Sequence, residues 1–491
     1  MTPTGARVVL GVAAMALTAC ARASSAVPPG AQETLMQNET RDRAAILETI
    51  HNVARGADLR QWDTVRAAFA ERVVLDYGVP ELLTPEEIVS RWRPLLSAFD
   101  STQHVVRDEQ VSFVEPDLAR VRSRFWAAHH LAGAAGGELW SLGGRYEQEL
   151  ARTASGWKVT RMRMIPGEST GNAALLERAR ERAGLAAPPQ PAYRVEHVRF
   201  PSHGADLVGL VHLPASAPEG ERLPAVAVLG SWTTVKEQMP SLYAQRLASA
   251  GFAALTFDFR GFGESEGGPR HEESPARKIE DIRAAVDFLS SHAAVDARRL
   301  GLVGVCASSG YIAAEVVDDP RVRSVVMVAP WLHDAVLAAS VYGGAEGVAY
   351  RVHKGREARA AFASTGVVRY VPAVSTTDTS AAMVGPFDYY LDARRGGIPQ
   401  WGNRFAVMSW PGWLEFDALA SAPRLRAPTL IVHSEEGAIP DGARRFAAAM
   451  PVAPRMVWAA GTQFHFYDDP ATVDRATQEA AAHLRATLAA R

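Results

Sequence analysis

The sequence predicts an α+β domain followed by a parallel α/β domain that carries a long insertion. Three observations lead there. The stretch GLAAPPQP (184–191) holds Pro188, Pro189 and Pro191, which suit no helix, and it marks a boundary. Upstream of it, helical spacing gives way to strands of alternating parity. Downstream, apolar runs and helical spacings alternate, the pattern of a parallel sheet covered on both faces. The 491 residues also exceed what one core usually fills.

Composition narrows the function. Lys and Arg number 52 against 54 Asp and Glu, for a net charge of −2, and no basic stripe appears, so no nucleic-acid partner is expected. The 2 cysteines, Cys20 and Cys306, exclude a disulfide scaffold and a cysteine metal knot. No metal and no organic cofactor is implied.

The first segment, Met1 to Cys20, has one charge, Arg7, and then an apolar run from Val8 to Leu17. That run is too short to cross a bilayer and has the layout of a secretory signal. Leu17-Thr18-Ala19-Cys20 resembles a bacterial lipobox. The resemblance implies a signal peptide over 1–19, lipidation at Cys20 and an exported protein anchored by lipid on the periplasmic or cell-surface side of a membrane. Residues 20–37, with small residues and Pro28-Pro29-Gly30, read as a tether.

The next domain spans 38–183. Ala44, Ile46, Ile50 and Val53 predict a first helix, and a second follows near Trp62 to Phe69. Ala119, Val121, Phe125 and Ala127 share one parity of a strand, with Arg120, Arg122 and Arg124 on the other. His129 continues the apolar parity and should point inward, with His130 on the arginine side. Strands around 140–150 and 157–164 complete the pattern. The pieces ADLRQWD (57–63), VVLDYG (73–78), STQH (101–104), FWAAHH (125–130), GGRYEQEL (143–150) and GWKV (156–159) resemble the cone-shaped nuclear transport factor 2 superfamily, in its SnoaL-like and scytalone dehydratase-like branch. In the dehydratase-like members a pocket Asp and two His move protons, and the matching positions are Asp58, His104 and His129. The fold also hosts binding-only members, so acid/base catalysis, a ligand pocket and a structural role all stay open.

After a linker over 184–192, the second domain spans 193–491. Its strands are expected at 223–230, 252–259, 299–306, 322–330, 428–434 and 455–460, with helices between them. Gly304-Val305-Cys306-Ala307-Ser308-Ser309-Gly310 has the strand, nucleophile, small residue and helix order of a nucleophile elbow, with cysteine in place of serine. A helix N-terminus there should favour the thiolate. The Ala307 N–H would form half an oxyanion hole, and the loop Gly230-Ser231-Trp232 the other half. The motifs GSWTTVKEQ (230–238), FDFRGFGESEGGPR (257–270) and VGVCASSGY (303–311) resemble an α/β-hydrolase of the dienelactone hydrolase type, whose nucleophile is a cysteine.

That resemblance selects Glu436 as the acid, four residues before Pro440, with Glu435 as a rival. It places the histidine four residues before Tyr467, where this chain has Gln463; His465 lies two further on. Glutamine is no general base. Three arrangements follow. His465 relays the proton after a loop shift, Cys306 acts as a pre-formed thiolate, or the domain binds without turnover; His333 and His353 are further substitutes. The insertion over 331–420 is rich in rings, including Trp331, Tyr342, Tyr350, Phe387, Tyr389, Tyr390, Trp401, Trp410 and Trp413, and reads either as a lid for an apolar or aromatic small-molecule acyl substrate or as a lid with a small core of its own. The combined expectation is an ester, lactone or thioester hydrolase, against a non-catalytic binding protein or dehydratase- or cyclase-like chemistry in the first domain.

Overall fold

In the computed structural model the described residues are 29–187, 191–218 and 220–489. The signal, Cys20 and most of the expected tether lie outside them. The tether expectation fails for residues 29–37, because helix α1 (Pro29–Asp58) already begins at Pro29. Proline is tolerated in a first helical turn, where its missing N–H has no intrahelical partner. Among the described residues no helix is long and apolar enough to cross a membrane.

The first domain continues with α2 (Trp62–Ala68), β1 (Phe69–Asp76), β2 (Pro80–Leu83), α3 (Pro85–Ser97), β3 (Ser101–Glu115), β4 (Leu118–His130), β5 (Leu139–Thr153), β6 (Gly156–Gly171) and α4 (Leu175–Arg182). Helix α3 starts on a capping box. The Thr84 side chain accepts from Glu87 N, and Glu87 accepts from Thr84 N at 2.7 Å. The sheet order is β2-β1-β6-β5-β4-β3, and only the β1–β6 pair is parallel. The pairing of β5 with β6 shifts register between Leu142 and Gly144. A Cβ at Gly144 would lie 2.4 Å from the Ile165 carbonyl and 2.7 Å from the Phe125 ring. The inward parity of β4, Ala119 to Ala127, is buried as expected.

The second domain opens with a hairpin, β7 (Tyr193–Ser202) and β8 (Ala205–Pro214), that alternation alone did not indicate. Then come β9 (Leu223–Leu229), α5 (Met239–Ser249), β10 (Ala253–Phe257), α6 (Pro275–Ser291), β11 (Val295–Val305), α7 (Ser308–Val316) and β12 (Val322–Val328). After the insertion, strands Thr429–His433 and Arg455–Trp458 extend the sheet, whose order from that edge is 455–458, 429–433, β12, β11, β9, β10, β8, β7. Only β8 and β7 run antiparallel to their neighbours.

The insertion folds over the C-terminal ends of the strands, with helices α8 (Ala335–Val341) and α9 (Gly344–Thr365) and shorter pieces to Arg424. Tyr342, Tyr389, Tyr390, Trp401, Trp410 and Trp413 are buried, whereas Tyr350 is exposed.

The two domains meet through charges. Arg161 on β6 pairs with Glu149 of its own sheet at 3.2 Å and with Glu237 of the second domain at 2.5 Å. Glu115 pairs with Arg270 at 2.8 Å, and Asp76 with His197 at 2.6 Å. Arg120 donates to the Gly263 carbonyl, whereas Arg122 and Arg124 of the same parity face solvent.

Candidate functional site

Cys306 stands between β11 and α7 with a backbone φ of 58°, the strained left-handed turn of an elbow. Gly304 is required beneath it, since a Cβ would lie 2.8 Å from Ser309 N. Ser309 N donates to Cys306 O at 3.1 Å, and Ser308 Oγ donates to Gly230 O at 2.5 Å, which ties the elbow to the neighbouring loop. The backbone N–H groups of Ala307 and Trp232 and the hydroxyls of Ser231 and Tyr467 all act on the sulfur to favour its charged form. The two N–H groups are the pair expected for an oxyanion hole. Ser231 contributes its hydroxyl, which lies 2.9 Å from both Tyr390 Oη and Tyr467 Oη.

Burial pushes the Cys306 thiol above its ordinary value, although the four donors oppose that effect. The expected helix-stabilised thiolate is therefore corrected to a buried thiol at rest. Cys306 is only 5% exposed, and the cost of ionising a thiol out of water outweighs the groups that favour its charge.

His465 does not join this group. Helix 465–468 begins at His465, so the side chain turns away from the direction Gln463 takes. The imidazole is exposed, and its Nδ1 accepts from Thr462 N at 2.9 Å. Gln463 occupies the cavity side instead. Its Nε2 donates to Ala329 O at 2.8 Å and Tyr467 Oη at 3.2 Å, and its Oε1 accepts from Ala438 N at 2.9 Å. The other histidines do not replace it. His333 uses both ring nitrogens, on Trp331 Nε1 at 3.1 Å and Trp413 O at 2.9 Å. His353 is exposed on α9 and pairs with Glu357. Glu436 lines the cavity, whereas Glu435 turns outward to Arg444 at 2.5 Å.

The cavity over Cys306 measures about 520 Å³ and is walled by Trp331, Tyr342, Phe387, Tyr390 and Trp413 of the insertion. Arg351 and Glu436 are its charged lining groups. An apolar chamber with one thiol and converging donors suits acyl-group chemistry.

A second cavity of about 370 Å³ lies inside the first domain. The structure brings the three residues selected from sequence together beside it. Asp58 Oδ1 lies 2.6 Å from His104 Nδ1, and Asp58 also accepts from His104 N at 2.7 Å and Thr102 Oγ1 at 2.9 Å. Burial works to raise the Asp58 carboxyl, but the bonds from His104 outweigh it and hold the group below its ordinary value. His129 is buried, stacked on Trp140 with ring centroids 4.8 Å apart and edge-on to His104 at 5.5 Å. Burial and the neighbouring His104 push it down to about 4, so it is neutral at pH 7. Tyr77, Trp92, Phe99 and Phe125 make the cavity largely apolar.

Sequence reasoning missed a carboxylate cluster. Glu237, Asp258 and Glu264 converge with ligand atoms within 4.8 Å of one another. Lys236 Nζ sits 2.7, 2.7 and 2.6 Å from them and fills the place a cation would take. Burial alone would lower the Lys236 ammonium; the carboxylates outweigh it and hold it charged. Lys236 and Glu237 come from one loop and Asp258 and Glu264 from another, so no single local motif announces the cluster.

Comparison with known proteins agrees with this division. Residues 38–163 match the SnoaL-like domain family, and residues 239–386 match the family described as serine aminopeptidase, S33. An uncharacterized Pseudomonas aeruginosa protein, PA2218, is 42% identical over 136 residues, 27% of this chain and 36% of its own length. Its crystal structure superposes with a TM-score of 0.55 at 25% identity, over 61% of this chain and 96% of that one. The thiohydrolase AneE of Aspergillus aculeatus is 36% identical over 107 residues, 22% of this chain and 34% of its own. The chain thus spans about a third of the length of these curated relatives. The α/β hydrolase GrgF from Penicillium superposes with a TM-score of 0.52 at 20% identity, over 60% of this chain and 99% of that one, a likeness of fold.

Proposed function

We propose that this chain, a SnoaL-like domain followed by an α/β-hydrolase domain, is an acyl hydrolase in which Cys306 is the nucleophile. The observation that carries the reading is the place of the thiol, on a strand-to-helix turn at a φ of 58° and lining the aromatic-walled cavity. Glu436, the carboxylate lining the cavity, takes the thiol proton through water. The thiolate adds to the substrate carbonyl, and the Ala307 and Trp232 N–H groups hold the developing oxyanion. The bond to the leaving group then breaks, and water hydrolyses the acyl-cysteine to release acid and thiol.

The missing imidazole points to the substrate. An alkyl ester or amide needs a general acid to protonate its leaving group, and no imidazole lines this cavity. A thioester does not, because its leaving thiolate is already stable near neutral pH. An apolar acyl thioester is therefore the class that fits. The AneE relative's name, thiohydrolase, accords with this. The test is mass spectrometry of the protein after exposure to an acyl thioester of N-acetylcysteamine. One acyl group should appear on Cys306, and Cys306→Ala should abolish it and cut turnover at least about 10³-fold. Full activity in that variant would overturn the reading.

A second reading is favoured by the Asp58–His104–His129 group, which suits proton transfer on a hydroxy-carbonyl compound within the first cavity. In that case elimination of water from such a substrate survives Cys306→Ala and is lost in His104→Ala; the reverse pattern defeats it. The lipobox-like Leu17-Thr18-Ala19-Cys20 supports an exported, lipid-anchored protein. Cys20→Ala should then shift the protein out of the membrane fraction on expression in a bacterium, and retention there counts against the anchor.

A further inference from the structure

A buried ion pair lies behind the Cys306 site. Glu273 has no solvent exposure and Lys278 has 2%, and they meet with Nζ–Oε1 at 2.7 Å. Removing two charges from water costs as much as their attraction returns, so such a pair is weak evidence of stability and asks for another reason. Lys278 is also enclosed by the rings of Phe259, Phe262 and Tyr311, at 4.6, 4.8 and 5.6 Å from their centroids.

The carboxylate reaches both halves of the Cys306 site. Its Oε2 accepts from Thr233 N at 2.7 Å, in the loop whose preceding residue, Trp232, supplies one oxyanion N–H. Its Oε1 accepts from Tyr311 Oη at 2.8 Å, in the helix that follows Cys306. Thr233 has a φ of 62°, a conformation that β-branched residues rarely adopt and that persists only when its surroundings hold it. Two groups do so. Glu273 takes its N–H, and Trp401 Nε1 of the insertion donates to its carbonyl at 3.1 Å. Glu273 N in turn donates to Ser409 Oγ at 2.9 Å, which anchors the carboxylate's own backbone to the insertion.

We infer that Glu273 is a positioning residue: it braces the strained Thr233 turn against the elbow helix and so aims the Trp232 N–H at the oxyanion, with Lys278 holding the carboxylate in place. The inference rests on Cys306 acting in acyl transfer. It concerns the oxyanion hole alone and leaves the thiol untouched.

The test separates two reactions of the same sulfur. Acylation by a thioester passes through an oxyanion; alkylation by iodoacetamide does not. The variant is Glu273→Leu with Lys278→Met, which removes both charges at similar volume, so the fold should hold. Acylation of Cys306 should slow about 10- to 100-fold, less than deletion of an oxyanion donor, while alkylation stays within about twofold. Tyr311→Phe, which cuts one strut and strands no charge, should show a smaller fall of the same kind. Unchanged acylation, or acylation and alkylation falling together, overturns the brace. A wild-type chain that takes up iodoacetamide but no acyl group overturns the nucleophile reading, and this inference with it.

Discussion

The two cavities hold complementary sets of groups. The first domain has a hydrogen-bonded pair, Asp58 and His104, and a neutral His129, but no thiol or serine among its lining residues. The second has a thiol and preset N–H donors, but no imidazole among its lining residues. Each fold places side chains by its own rule. In the first domain, neighbouring strands of one curved sheet bring His104 and His129 side by side, because Ala127 and His104 are paired across β3 and β4 and His129 follows on the same face. In the second, a strand-to-helix turn raises one residue above the sheet, and the remaining members must come from distant loops. On a strand the period of two fixes the face each residue takes, whereas in the second domain two positions of loop separate Gln463, which lines the cavity, from His465, which is exposed.

The largest expected effect comes from restoring what the second cavity lacks. Gln463→His puts an imidazole beside Tyr467, Ala329 and the thiol, and general acid–base help is commonly worth about 10²- to 10⁴-fold. Turnover of an alkyl ester of the same acyl chain should rise at least about 10-fold, with a smaller gain on the thioester, whose leaving group needs no acid. No gain on the alkyl ester removes the argument that the missing imidazole sets the substrate class. His465→Ala is the companion variant. An exposed ring bonded only to Thr462 should change turnover by less than about twofold, and a large loss would restore His465 as the relay.

What could be read from the sequence divides along the same line. Most strands and helices of the second domain follow from apolar runs, and the elbow follows from Gly304, Cys306 and the small residues beside it. The hairpin at 193–214 escaped because its strands pair antiparallel at the sheet edge, outside the alternation. Asp58, His104 and His129 were recognisable by resemblance, and the sheet register explains why they meet. The exposed position of His465 was not legible, because two residues of sequence decide which side of a helix start a ring faces. The Glu273 brace and the Lys236 cluster were invisible, since each is completed across the fold, by Thr233 and Tyr311 in the one and by Asp258 and Glu264 in the other.

A smaller effect distinguishes the domains by acid. The first holds one strongly depressed histidine, His129 at about 4, and the second holds two, His212 and His433, also at about 4 through burial. His271, His333 and His483 of the second domain are lowered as well. Each of these rings has an ordinary value of 6.5 when the chain is unfolded. Between about pH 6.5 and 4 the unfolded chain therefore binds protons that the folded chain refuses. Stability is full above that window and falls as pH drops through it, by at most about 1.4 kcal/mol per pH unit for each histidine. Asp58 is depressed too, but its stabilisation is present above its ordinary value of 3.8 and is lost only at lower pH, outside this window. Thermal melts near pH 7 and pH 5 should thus show a loss that His433→Phe and His129→Phe each reduce. His433 stacks on Trp458 at 5.7 Å within the packed interior, so a phenyl ring should fit its place and leave the acid slope as the main change. His129 borders an open cavity, where water can enter and lessen its resistance to protonation, so its variant should recover less. Equal recovery from both would mean that the first cavity is as dry as the interior beside Trp458.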